Sequence, residues 1–203
     1  PLRFIGRKDE SSLRLGRIND NQVIEFITLK DATVRVLKLL RGEIDLVQGD
    51  LPPEIIAWLD KKKSVAIKKK RGDTFTYIGF NLEDTTTGNR LVRKAIAHAI
   101  DRDAIIKYIK GGAARKAGTL LATEHWASRA DLVGVQYDPQ ESQRLLVKAG
   151  FNEINKLKIS YKTTSKPDSL RLATIIQDQL KRVGIEVNIR SYDWGTFYGD
   201  IKE

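Results

Sequence analysis

The chain contains no cysteine and no methionine, and only two histidines and five prolines among 203 residues. Without cysteine there is no thiol nucleophile, disulfide staple, zinc knuckle or iron–sulfur site, and the redox compartment stays open. Serine-type triads, histidine metal sites and most general acid–base schemes would have to draw on His98 or His125. No stretch approaches the ~18 consecutive apolar residues that a membrane span needs. An initiating Met, a basic n-region and an apolar h-region are also missing at Pro1, and Phe197 to Glu203 stops without a cap after what reads as a half-written helix. The expectation is an excised piece of a longer protein, with any targeting segment either removed or never part of this piece.

What is present is a soluble, basic composition: 36 Lys and Arg against 26 Asp and Glu, a formal charge of +10, with 41% hydrophobic residues. That apolar fraction is too high for disorder, and this length can bury a real core as one large domain or two small ones. The densest charge run is Lys61-Lys62-Lys63 with Lys68-Lys69-Lys70-Arg71, flanking the apolar stretch Val65 to Ile67. Nucleic acid and anionic headgroups would both meet such lysines. No aromatic residue is interleaved to stack bases and no nucleic-acid-binding signature appears, so the two clusters read as solvated strand ends.

Hydrophobic periodicity divides the chain into short elements. Leu2 to Arg7, Leu13 to Arg17 and Val23 to Thr28 alternate as antiparallel strands. Asp31 caps a helix with the stripe Val34, Leu37, Leu40 beside Val36, stopped by Gly42 and followed by a strand from Ile44 to Gln48. Pro52 and Pro53 open a helix through Leu59, and strands are expected at Val65 to Ile67 and Thr74 to Leu82. From Asn89 the period becomes helical, with Leu91, Val92, Ala95, Ile96, Ala99 and Ile100 on one face; a second helix from Asp101 or Asp103 stops at Gly111-Gly112. Residues 113–137 have no sustained period and read as a long ordered loop, a feature that suggests function. The chain closes as helix (Asp138-Pro139 to Ala149), strand (Leu157 to Lys162), helix (Pro167 to Val183) and strand (Ile185 to Arg190), with two subdomains joining near Phe80-Asn81-Leu82-Glu83.

No constellation of these residues reads as a catalytic centre. His98, at the margin of a helix's apolar face, reads as a hydrogen-bonded structural histidine. His125, beside Trp126 in the irregular loop, is the better candidate to meet a ligand. The glycines of 111–119 lack the Gly-Lys-[Ser/Thr] order that cradles phosphate. No carboxylate pair is isolated on an apolar background. No enzyme, no cofactor and no metal site are expected.

Several segments, in order, carry a family resemblance. Leu39-Leu40-Arg41-Gly42-Glu43-Ile44-Asp45-Leu46 follows Asp31-Ala32-Thr33-Val34-Arg35; then come Tyr77-Ile78-Gly79-Phe80-Asn81 and the helix Val92-Arg93-Lys94-Ala95-Ile96-Ala97-His98-Ala99-Ile100-Asp101-Arg102. His125-Trp126-Ala127, Tyr137-Asp138-Pro139 with Leu145 to Phe151, and Gln179 to Val187 follow. Together they resemble the peptide- and nickel-binding family (family 5) of extracytoplasmic solute receptors that feed ABC importers. The resemblance implies a mixed α/β fold, part of a two-lobed receptor of the periplasmic-binding-protein kind. Residues 1–81 would belong to the first lobe, with a crossover strand at its end, and 82–203 to most of the C-terminal lobe.

It also implies a small solute, most often a peptide, held in a cleft between lobes and presented to a membrane permease, at the periplasmic or extracellular face of the cytoplasmic membrane. Ligand-binding residues on this reading are Trp194, Trp126, Asn81, Tyr77 and His125. Trp194 in Asp193-Trp194-Gly195-Thr196-Phe197 matches a family element whose aromatic residue lies at the cleft, a buried core indole being the alternative. Tyr77, Phe80 and Asn81 alternate along the crossover, and the sequence leaves open which side faces the cleft. Gly118 to Thr123 departs from the proline-rich stretch that usually precedes His-Trp, and the acidic residue that pairs with a peptide's amino terminus would lie beyond this sequence, so solute identity stays open. The competing reading is a basic interaction or ligand-sensing domain that reuses the fold to hold nucleic acid or an acidic partner.

Overall fold

The computed structural model describes residues 1–203 apart from Asp50, Arg71, Asp73, Ala130 and Glu203, so Arg71 of the basic run lies outside the described residues. The chain divides into two compact units, Pro1–Lys70 and Arg71–Glu203, each described by itself.

In the first unit three strands, β1 (Leu2–Gly6), β2 (Ser12–Arg17) and β3 (Val23–Ile27), form an antiparallel sheet in chain order. Phe4 faces Leu15 across β1–β2, and Leu15 faces Ile24 across β2–β3. Helix α1 (Ala32–Leu40) begins where the Asp31 carboxylate accepts the Val34 N–H at 2.8 Å, and α2 (Pro53–Leu59) begins with proline at its first position. The expected stripe of α1 is rotated: Val36 is buried with Ala32, Leu39 and Leu40 partly covered, while Val34 and Leu37 are exposed. Both stripes are apolar in sequence, and packing chose the one that brings in four aliphatic side chains.

The strands expected at Ile44 to Gln48, Val65 to Ile67 and Thr74 to Leu82 do not form: none of these segments joins either sheet among the described residues. A strand exists only as part of a ladder, and a short apolar run specifies no partner.

The second unit holds the larger core. Helix α3 (Arg90–Ala99) starts at Asn89, whose side chain accepts the Leu91 N–H. It buries Val92, Ala95, Ile96 and Ala99. Asp101 caps the short α4 (Arg102–Ala104), which continues as a π-helix over Ile105–Ile109. After the irregular residues 113–137 come α5 (Pro139–Lys148), β4 (Leu157–Thr164), α6 (Pro167–Arg182), β5 (Ile185–Tyr192) and α7 (Trp194–Lys202). Strands β4 and β5 pair in parallel from Leu157↔Ile185 to Thr164↔Tyr192, with α6 as the crossover helix. Glycines at φ 90° and 92°, Gly150 and Gly184, end α5 and α6. Leu145, Leu146, Leu157, Ile176, Leu180 and Ile185 close the core over α3.

Two polar ties fix the helices to each other. The buried Ser142 hydroxyl of α5 donates to the Ala95 carbonyl of α3 at 2.8 Å, and Gln179 of α6 accepts the Asp101 N–H at 3.1 Å. His98 is half-buried and its Nδ1 lies 2.9 Å from the Gln136 carbonyl oxygen, which makes it a latch for the end of the long loop.

Candidate functional site

All five residues read from the sequence as ligand-binding lie in the second unit, on three separate features. The first is the end of the parallel strand pair. Ser165 donates its N–H to the Tyr192 carbonyl at 2.8 Å, so β4 and β5 stop together, and open α/β folds bind ligands beyond such carboxyl ends. Asp193 then caps α7, its carboxylate accepting the Thr196 N–H at 3.1 Å and the Thr196 hydroxyl at 2.6 Å. The hydroxyl bond is the larger reason that the Asp193 carboxyl titrates below the usual range.

This cap fixes the phase of α7. Trp194 opens the helix, and Phe197 and Tyr198 follow at i+3 and i+4, on the same face. The indole stacks on Tyr198 with centroids 5.9 Å apart and tilts toward Phe197 at 6.0 Å. Lys162 of β4 pairs with Asp200 and holds α7 against the sheet. Trp194 is 61% exposed, so it is not a core indole but one wall of an open aromatic platform. Sequence reasoning missed Phe197 and Tyr198, although their spacing from Trp194 carried the signal.

The second feature is the segment 74–82, where exposure alternates from Tyr77 to Asn81. Ile78 and Phe80 pack on the core of the unit, whereas Tyr77, 71% exposed, and Asn81 face outward. Tyr77 lies beside Phe75 with ring centroids at 5.5 Å. Asn81 is held by a tight turn: its side-chain oxygen accepts the Glu83 N–H at 3.0 Å and its carbonyl accepts the Thr87 hydroxyl at 2.6 Å. Asp84 accepts the N–H groups of Thr86 and Thr87, and the Thr87 N–H chiefly accounts for its lowered pKa. Arg93 of α3 closes the turn by donating to the Thr87 and Gly88 carbonyls at 2.9 and 2.7 Å.

The third feature is the loop 113–137. Arg115 grips both oxygens of Glu124 at 2.5 and 2.6 Å, which holds the Glu124 carboxyl down at about 2. Lys116 pairs with Asp103 at 2.8 Å, and Arg102 donates to the carbonyls of Ala117 and Val135. On this framework His125 and Trp126 stack at 5.6 Å, His125 Nδ1 accepting the Ala127 N–H at 3.1 Å. Trp126 is 91% exposed, with His125 stacked beside it in the loop. The Arg115–Glu124 clamp was invisible in the sequence, because partners nine residues apart in an irregular loop leave no periodic trace.

The structure therefore joins His125 to Trp126 and sets Tyr77 and Asn81 on one side of one segment. Among the described residues no ring contact links either group to Trp194. Nor do any three His, Asp or Glu side chains among those residues converge to hold a metal. The arrangement offers flat apolar walls with amide and imidazole hydrogen-bonding groups beside them.

Comparison with known proteins gives the same direction. The family described as bacterial extracellular solute-binding proteins, family 5 Middle, matches residues 16–203. The chain is 28% identical over 181 residues to the dipeptide-binding protein of Escherichia coli K12, which is 88% of this chain and 34% of that protein. It is 29% identical over 189 residues to heme-binding protein A of Haemophilus influenzae, 91% of this chain and 34% of that one. Among solved structures it superposes on the ABC transporter-associated periplasmic binding protein DppA from Helicobacter pylori in complex with peptide STSA. That match has a TM-score of 0.85 and 26% identity, covering 97% of this chain and 39% of the other. The chain thus spans about a third of the length of these curated relatives.

Proposed function

The chain belongs to the bacterial extracellular solute-binding proteins of family 5, and from that membership we propose that it is part of the receptor of an ABC import system whose solute is a short peptide. The observation that carries the reading is the platform of Trp194, Phe197 and Tyr198, with Trp194 and Tyr198 exposed and Phe197 half-buried, where two parallel strands end. A flat, largely apolar wall accepts many side chains without selecting one, as a receptor for peptides of varied sequence requires. Asn81 and Tyr77 add outward-facing polar tips on a segment whose other side is anchored in the core. His125 and Trp126 add a stacked pair on a clamped loop.

The ligand sits in the inter-lobe cleft of the full-length receptor and stabilises the closed form, because it binds that form better than the open one. The permease reads the closed form. The heme-binding relative is as similar as the dipeptide-binding one, so the peptide assignment rests on the wall and is tested directly. Calorimetry of the full-length receptor against di-, tri- and tetrapeptides should give micromolar or tighter binding, and Trp194→Ala should weaken it about tenfold. Absence of heat with every peptide would overturn the reading.

A further inference from the structure

No residue of the basic run Lys61 to Lys70 is among those proposed above to meet the ligand, and within the first unit the run has a definite form. Residues 61–70 hold six lysines and no carboxylate. All six are exposed, whereas Val65 and Ile67 between them are half-buried. The apolar pair thus pins the segment down while the lysines point to solvent. Lys69 pairs with Asp60 at 2.8 Å; the other five have no carboxylate partner among the described residues. Beside them, at the end of α2, Trp58 is 43% exposed and carries the Lys62 ammonium 4.6 Å from its ring centroid.

An anchored basic segment with an exposed indole at its edge has the composition of a surface that rests on lipid headgroups. Lysines meet the phosphates, and an amphipathic ring sits at headgroup depth. Nucleic acid fits less well, since no aromatic side chain is interleaved with the lysines to stack bases. The family is extracellular, and a membrane face is an extended surface whose anionic headgroups a receptor can meet there. We propose that Lys61, Lys62, Lys63, Lys68 and Lys70, with Trp58, form an electrostatic docking surface for anionic phospholipid headgroups. Such a surface keeps a receptor near the bilayer plane, where its permease resides. The interaction is reversible and weakens with salt, because exposed charges are screened within about 10 Å at 0.1 M ionic strength.

The test is co-sedimentation of the chain with large unilamellar vesicles of phosphatidylcholine alone or with 30% phosphatidylglycerol. At 50 mM NaCl the protein should pellet with the anionic vesicles and not with the neutral ones, and 500 mM NaCl should release it. Lys61→Glu/Lys63→Glu/Lys68→Glu should weaken partitioning about a hundredfold, from a loss of several-fold per lysine. The same net charge change at Lys8→Glu/Lys30→Glu/Lys94→Glu should weaken it only about threefold. Circular dichroism melts of both variants should match the parent. In a Trp126→Phe/Trp194→Phe background, Trp58 emission should shift to the blue on adding anionic vesicles. Equal loss in both triple variants would reduce the effect to net charge and overturn the proposal. So would equal binding to neutral vesicles, or retention of duplex DNA by a protein that ignores both lipids.

Discussion

Gly88 is where the turn that holds Asn81 can be tested with one carbon atom. A Cβ added there would lie 2.6 Å from the Leu82 carbonyl oxygen and 2.7 Å from that of Asp84. Both are backbone atoms, so neither can swing aside; each would have to retreat by roughly 0.7 Å to reach ordinary van der Waals distance. The Asp84 carbonyl also accepts the Gly88 N–H at 2.7 Å, and the Asp84 side chain holds Thr86 and Thr87, so the retreat pulls on several bonds at once. Overpacking of this kind costs about 1–3 kcal/mol, and one lost hydrogen bond adds about 1 kcal/mol. For a chain of this size, about 2–4 kcal/mol lowers Tm by roughly 5–12 °C. Thermal melts of Gly88→Ala, followed by circular dichroism, should show that drop, whereas Gly199→Ala, whose Cβ would meet nothing within 4 Å, should not. A Gly88→Ala protein melting within 1 °C of the parent would refute the geometry of the turn.

Three further outcomes are expected. The Glu124 carboxyl is held at about 2 by Arg115, below its unfolded value near 4.5, so the clamp contributes fully above that value and is lost as the pH falls from about 4.5 through 2. Trp126 emission, isolated by Trp58→Phe and Trp194→Phe, should titrate over that interval, and an unchanged titration in Glu124→Gln would remove the clamp from the explanation. Ile96→Ala, at a position 2% exposed, should lower stability by about 3 kcal/mol in urea without changing the slope, while Val147→Ala on the exposed side of α5 should stay within about 0.5 kcal/mol. The isolated chain, about a third of the length of its curated relatives, should bind peptides weakly or not at all, and submicromolar affinity in calorimetry would contradict an inter-lobe site.

The second unit was legible because its signals are local. Asn89, Asp101 and Asp138 announce helix starts, Gly150 and Gly184 announce ends, and the β4–α6–β5 crossover follows from alternating periods. The first unit was legible only in its antiparallel sheet and its two helix starts, the Asp31 cap of α1 and the proline that opens α2. Val65 to Ile67 and Ile44 to Gln48 are apolar enough for strands, but pairing is a property of two segments and neither names its partner. The π-helix at Ile105–Ile109 likewise has no local signature.

Trp194 was legible as a candidate from family likeness, and its exposure came only from the fold. Alternation predicted two sides for Tyr77 to Asn81 but not their sense, which the core contacts of Ile78 and Phe80 decide. Nothing in residues 113–137 foretold a clamp, because an irregular backbone places its side chains through contacts that no period encodes.

The central claim, a receptor whose solute is a short peptide, is tested most directly on the full-length protein purified without added ligand. Native mass spectrometry followed by denaturation should release short peptides of mixed sequence from the folded protein. Release of a heme, a metal complex or a sugar instead, or an empty protein that also ignores a peptide panel, would contradict it.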